Sequence, residues 1–568
     1  MRRTTTPFTS LLSLRSVVIL LSLTPAVSQA QPKSTILLKD VTKQTGITFL
    51  HTDGSSGGYY IVETVCAGLA LFDYDNDGDE DIYFLNGGAL KGTRFKVPPR
   101  NALYRNDGNF KFTDVTKESG LGDKGHALGV AAADYDSDGD LDVYVTNFGP
   151  NVLFRNNGDG TFTDVTREAG VADGSDVGAG ANFLDADKDG DLDLFVSSYV
   201  NFTYEGNVPN TASGYPTYAG PKAYKPTPDS LYRNNGDGTF TDISEVSGIS
   251  KSPGTGMGTV CLDYDNDGDT DIYVCNDMMQ NFLFTNDGTG KFEEVGLVAG
   301  AGYDMNGDEM GSMGVGCGDY DNDGHLDLYV TAYQQQFPSL YRNIGDGLFE
   351  DVTFLTGAGA GTIHTVTWGN EFVDFDNDGD RDLFVALGHM MDNIELWDKR
   401  ASYLARNILF MNTNDGKFVS VSDTSGDGMI PKLSSRGAAF DDLDNDGDVD
   451  VVVSNSRGAP TILRNDSPSK GHWLQVKLRG AKMNRDGVGA RVKVVAGDLT
   501  LIDEVHSGRG YQSHYGMRLH FGLGDREKID RVEVRWIGGG ADVFENIAAD
   551  QLVTLTEGGP QTAARSQK

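Results

Sequence analysis

The chain has 568 residues and sets 83 Asp and Glu against 47 Lys and Arg, a formal net charge of −36. So acidic a surface excludes DNA, RNA and anionic membranes as favoured partners.

Met1-Arg2-Arg3 opens a basic stretch, an apolar run extends from Val17 to Leu23, and Ser28-Gln29-Ala30 supplies a small-residue cleavage site. Residues 1–30 therefore read as a signal peptide. Export to the periplasm, the cell surface or the medium is expected. Arg15 keeps the apolar core too short for a transmembrane anchor, and no later run is long enough to span. Next comes a lone strand phrase, Leu38-Lys39-Asp40-Val41-Thr42, with Gly46 four residues on.

The chain then repeats one nine-residue acidic loop seven times, with Asp at positions 1, 3, 5 and 9 and Gly at position 6. Including position 7, the candidate metal residues are Asp73, Asp75, Asp77, Asp79 and Asp81 in the first loop, and Asp134, Asp136, Asp138, Asp140 and Asp142 in the second. The third has Asp185, Asp187, Asp189, Asp191 and Asp193, and the fourth Asp263, Asp265, Asp267, Asp269 and Asp271. The fifth has Asp319, Asp321, Asp323, His325 and Asp327. The last two have Asp374, Asp376, Asp378, Asp380 and Asp382, then Asp442, Asp444, Asp446, Asp448 and Asp450.

Alternate carboxylates on a tight loop aim inward, and Gly permits the sharp turn. Position 7 offers its backbone carbonyl, which leaves its side chain free to vary, as His325 does. This is a donor set for calcium, a hard cation that takes six to eight oxygens. Without an ion, charges about 5 Å apart repel by roughly 0.8 kcal/mol even in water. The spacing predicts up to seven Ca²⁺. It is not an EF-hand, which needs twelve residues, a closing Glu and flanking helices. Here the flanks, 69–72 and 82–85 for the first loop, read as strands.

Between loops two more phrases recur. One is Leu103-Tyr104-Arg105-Asn106 and its six echoes; the other is Phe112-Thr113-Asp114-Val115-Thr116, with Gly120 following. A Gly turn such as Asn157-Gly158-Asp159-Gly160 joins them. The unit is strand, acidic loop, strand, connection, strand, turn, strand. Seven such units predict an all-β, seven-bladed propeller over 31–467. The last unit stops at its third strand, near Asn465. The N-terminal strand 37–42 is expected to complete blade seven.

Four cysteines, Cys66, Cys261, Cys275 and Cys317, allow three pairings. Cys261 and Cys317 both precede a loop's first Asp by two residues, which favours packing in the core over a disulfide. After Asn465 the repeats stop. Strand-like runs at 473–478, 490–495, 519–521 and 532–536 predict a small antiparallel β-sandwich-like domain over 470–557, with a disordered tail at 558–568.

The loops and Phe-rich phrases resemble the FG-GAP or VCBS repeats of integrin-like propellers. The words Asn484-Arg485-Asp486-Gly487-Val488-Gly489-Ala490-Arg491, Gly508-Arg509-Gly510-Tyr511-Gln512-Ser513 and Arg518-Leu519-His520-Phe521-Gly522-Leu523-Gly524 resemble the ASPIC/UnbV domain. Together they resemble the cartilage acidic protein family. The resemblance implies a calcium-binding extracellular protein in adhesion or protein interaction, with no established catalytic mechanism. Relatives often carry Cys in the third-blade insertion, where this chain has Tyr218-Ala219-Gly220-Pro221.

Long insertions, 201–229 and 388–406, fall on the face opposite the acidic loops, as do His126, His364, Trp368, His389 and Trp397. Loops on a rigid scaffold carry function, so these five are candidates for a ligand face. The expected function is an exported, monomeric binding or adhesion scaffold for an extracellular protein or glycan. The alternative is a calcium-dependent polysaccharide lyase or hydratase with His364 and His389 as base and acid. No nucleophile-elbow serine or His-Glu-x-x-His motif is present.

Overall fold

The computed structural model describes residues 33–172, 177–468, 471–482 and 484–560. The expected signal peptide, 1–30, and most of the expected tail lie outside them. The fold is an all-β propeller of four-stranded antiparallel sheets. Blade one is Leu69–Phe72, Asp81–Phe84, Ala102–Asn106 and Phe112–Asp114, and the acidic loop joins its first two strands. The same order recurs in six further sheets. In the last, Ser435–Asp441, Asp450–Asn455 and Thr461–Asn465 are joined by Leu38–Asp40, which pairs Leu38 with Asn465.

Two sequence signals explain why the sheets pack around an axis. A glycine stands five residues before each loop's first Asp: Gly68, Gly129, Gly180, Gly258, Gly314, Gly369 and Gly437. A Cβ there would collide with the neighbouring blade's inner backbone, as Gly129 would with Ala179 O at 2.0 Å and Gly437 with Ala67 O at 2.7 Å. Close approach of the inner strands thus requires residues without a side chain.

The second signal is the Asn that ends each third strand. Its backbone N–H donates to the ninth-position Asp of its own loop, and its Nδ2 donates to the second-residue carbonyl of the preceding blade's loop. Asn156 does this to Asp142 (2.7 Å) and Tyr74 O (2.9 Å), and Asn343 to Asp327 (2.8 Å) and Tyr264 O (2.7 Å). Asn234, Asn286, Asn412 and Asn465 continue the pattern, and Asn106 reaches Leu443 O at 2.8 Å, linking the first sheet to the last.

The C-terminal domain has two sheets. His472–Arg479 lies between Arg518–Gly524, antiparallel, and Gln551–Thr556, parallel. The other sheet orders Leu499–Glu504, Arg491–Ala496, Lys528–Arg535 and Ala541–Ala548. The sandwich is therefore not purely antiparallel as its alternation suggested. Strand direction depends on the connection, which periodicity does not reveal.

Between its strands this domain sends residues 505–516 into the propeller axis, where the segment touches every blade. Ser507 Oγ donates to Ala132 O (2.6 Å), Asn182 Nδ2 donates to Gly508 O (2.5 Å), and His506 Nδ1 meets Cys261 O (2.9 Å). Gly510 N donates to Val315 O (3.1 Å), and Arg509 pairs with Glu371 (2.7 Å). His514 N donates to Leu69 O (3.0 Å), and Tyr515 packs on Phe440 with ring centroids 5.4 Å apart. A Cβ on Gly68 would also meet Gln512 O at 2.1 Å. The axis is filled by protein.

Candidate metal centres

Each acidic loop is a carboxylate cradle built by its own backbone. In the first, Asp73 accepts from Asp77 N (3.0 Å) and Gly78 N (3.1 Å), and Asp77 accepts from Asp79 N (3.0 Å). Asp81, at the start of the second strand, accepts from Tyr74 N (3.1 Å) and Asn106 N (2.7 Å). These bonds fix where the carboxylates point.

Carboxylate oxygens of Asp73, Asp75 and Asp81 lie within 4.8 Å of one another. The same holds for Asp134, Asp136 and Asp142, for Asp263, Asp265 and Asp271, for Asp319, Asp321 and Asp327, and for Asp185, Asp187 and Asp189. Inside these cradles the Oδ1 atoms of Asp75, Asp136, Asp187, Asp321 and Asp444 are buried without a hydrogen-bond donor, as are those of Asp185 and Asp263. Buried polar atoms are almost always satisfied. All-oxygen donors with buried free lone pairs fit a hard cation. If one is bound, the residues at positions 1, 3, 5 and 9 would hold it through their side chains.

Burial pushes the carboxyls of Asp81 and Asp142 up to about 9. Asp193, Asp271, Asp327, Asp382 and Asp450, at the same position, are raised well above the carboxylate range by burial too. The folded-state value lies above the unfolded one, so a proton stabilises the metal-free fold. That contribution is full below about pH 4 and is lost as pH rises through 9. Metal-stripped protein should therefore melt lower at about pH 8.5 than at about pH 5.5, and a bound cation should remove the difference. Melting curves of stripped and reloaded protein check this.

The side chain at position 7 is not free, contrary to the reading of the sequence. At six blade junctions among the described residues it meets the fourth-position residue of the preceding loop. Asn76 donates to Asp140 (2.7 Å), Asn322 to Asp380 (3.0 Å), Asn377 to Asp448 (2.7 Å) and Asn445 to Asp79 (2.6 Å). Lys188 pairs with Asp269, and Asn266 Nδ2 meets His325 Nδ1 at 3.1 Å. An imidazole works at position 7 because its ring nitrogen accepts as a carboxylate would. The signal was the near-invariance of Asn or Lys at position 4.

The C-terminal domain covers this face. Lys477 stands 3.9 Å from Asp73 and Arg485 3.9 Å from Asp134. Arg535 pairs with Asp263, and Gln475 Nε2 donates to Asp442 (2.9 Å). On the opposite side, the five candidate ligand residues do not form one surface. His126 is buried, with both ring nitrogens against carbonyls of Gly88 and Val62. Trp368 is fully buried, donates to Gly388 O (2.6 Å), lies under the Arg436 guanidinium and meets Tyr511 edge to face. His389 is fully buried: Nδ1 accepts from Met391 N and Nε2 donates to Gln334 Oε1 (2.9 Å each). Burial and then the Arg436 guanidinium hold it down to about 4, so it stays neutral. His364 is exposed and Trp397 half-buried. Two insertion tyrosines pack inward while Tyr215 is exposed: Tyr218 donates to Glu63 (2.9 Å) and Tyr204 packs on Tyr60 and Phe148.

The four cysteines are buried free thiols. Among the described residues no helix is long and apolar enough to cross a membrane.

The repeat positions decide the family. An FG-GAP-like repeat model matches 73–145, 134–196, 219–274, 263–330, 319–385 and 374–453. The chain belongs to the FG-GAP-like repeat family. The ASPIC and UnbV model matches 480–562, the domain that fills the axis of this FG-GAP propeller. Mouse cartilage acidic protein 1 is 25% identical over 86% of this chain and 73% of its own. The human protein is 26% identical over 86% of this chain and 71% of its own. The resemblance to cartilage acidic proteins is thus borne out. Among solved structures, a Bacillus licheniformis rhamnogalacturonan lyase aligns with a TM-score of 0.36 and 14% identity, covering 70% of this chain and 71% of that one. So loose a superposition carries no argument about activity.

Proposed function

We propose that this chain is an exported, calcium-stabilised binding scaffold, a closed ring of seven blades with a divalent cation in each acidic loop. The observation that carries the reading is the set of buried, donorless Asp oxygens inside the loops. The kinship with cartilage acidic proteins supports an extracellular setting, and the signal-like residues 1–30 support export. The ligand in this reading is an extracellular protein or glycan, with adhesion as the resulting role.

The enzyme alternative loses its acid–base pair. His389 is buried and neutral with both nitrogens occupied, so it has no route to a substrate proton. Incubation with acidic polysaccharides under calcium should yield no unsaturated products by ultraviolet absorbance. Products that His389→Ala abolishes would replace the scaffold reading with a lyase.

A further inference from the structure

The outer strands of blades one to five each run into a one-turn helix: Thr116–Ser119, Thr166–Ala169, Ser244–Ser247, Gly296–Ala299 and Thr353–Thr356. In every one the first and last residues are buried and the middle two face solvent. Packing therefore places no demand on the middle pair, and the repeats act as internal controls. Blades one and two use Lys117-Glu118 and Arg167-Glu168, as a solvated surface should. Blade three has Glu245 beside Val246, 74% exposed, and blades four and five present an apolar pair each: Leu297-Val298, 65% and 79% exposed, and Phe354-Leu355, 57% and 74% exposed.

The strand before each helix changes in the opposite sense. Blades one to three read Phe-Thr-Asp there, while blades four and five read Phe-Glu-Glu and Phe-Glu-Asp. Glu293 and Glu350, both exposed, replace the threonines. One stretch of rim has thus become more apolar and more acidic together.

Three clefts flank these helices, and each joins an apolar side chain to carboxylates. One of about 390 Å³ sets Val298 beside Asp346. One of about 350 Å³ sets Leu355 beside Asp415, with Arg342 and Lys417 also in its wall. One of about 380 Å³ sets Phe354 and Met305 beside Asp304, Asp308 and Asp351. Asp415 is already paired with Lys417 (2.7 Å), so the acidic character rests on Asp304, Asp308, Asp346 and Asp351; none of these four belongs to an acidic loop, and a loop-bound cation does not neutralise them.

We propose that the rim of blades four and five docks a basic amphipathic segment of another protein, one in which Leu- or Phe-like side chains alternate with Lys or Arg. The apolar pairs supply burial, and the carboxylates select the charge. An anionic membrane would be repelled by those carboxylates. A second copy would press an equally acidic rim against this one. The proposal rests on the scaffold reading and names its partner chemistry.

The test uses the calcium-loaded chain and a synthetic Leu/Lys amphipathic peptide, followed by fluorescence anisotropy. The variant L297K/V298E/F354K/L355E carries blade one's Lys-Glu pair into both helices. The wild type should bind the peptide with salt-sensitive affinity and ignore a Leu/Glu peptide, and the variant should bind at least ~10-fold more weakly. The substituted positions are exposed, so calcium-dependent melting should be unchanged. Equal affinity of variant and wild type, or no binding by the wild type, would overturn the proposal. A wild-type dimer in sedimentation that the variant abolishes would overturn it in favour of a second copy. If peptide binding fails while calcium-dependent melting persists, only the rim falls. If melting ignores calcium, the scaffold reading falls.

Discussion

Arg509→Ala is expected to destabilise the calcium-loaded protein by about 3–5 kcal/mol, because it strands a buried carboxylate. Arg509 sits on the segment that fills the propeller axis, and its guanidinium lies 2.7 Å from Glu371 on blade six. It also donates to Cys317 O on blade five (2.9 Å) and lies over the Tyr515 ring, 5.1 Å from the centroid. Both partners of the ion pair are buried. Glu371 accepts further bonds from Tyr515 Oη (2.8 Å), Cys317 N (3.1 Å) and Phe372 N (2.9 Å), but these neutral donors do not replace the positive charge once the arginine is gone. One side chain therefore ties the C-terminal domain to two blades. Urea unfolding in calcium measures the loss. Arg509→Met combined with Glu371→Gln should recover part of it, since the unpaired charge is then absent. A single variant as stable as the wild type would mean the axial segment is not anchored there.

Much of this architecture was legible because the repeat states it seven times over. The loop spacing gave the carboxylate cradles, and the flanking β-branched and aromatic runs gave the strands. The Asn closing Leu-Tyr-Arg-Asn was visible as a word but not as a bond. Its partner is a carbonyl on the preceding blade, such as Tyr74 O for Asn156, a contact far away in sequence. The glycines five residues before each loop were a further unread signal, since their cost makes sense only once the inner strands crowd together.

The axial segment was harder. Gly508-Arg509-Gly510-Tyr511-Gln512-Ser513 has no periodicity of its own and is not a regular strand. Its partners are inner strands of the other domain, and nothing local encodes that. For the same reason Trp368 and His389 read as loop residues open to a ligand. Tertiary packing buries Trp368 beneath Tyr511 and His389 beside Gln334.

Withdrawal of calcium should be the second large effect. At about 5 mM calcium, sites with dissociation constants of about 10⁻⁴–10⁻³ M contribute roughly 1–2.3 kcal/mol each. Over seven loops that is roughly 7–16 kcal/mol. With an unfolding entropy of about 2.1 cal/mol/K per residue, the melting temperature should drop by about 7–15 °C. Magnesium should substitute poorly, because it demands a tighter octahedral shell. The direct measurement is a thermal melt of the purified chain at about pH 7.5, stripped with EDTA and then titrated with calcium. The account predicts a drop of that size on stripping and full recovery as calcium returns. Identical melting curves with and without calcium would contradict it.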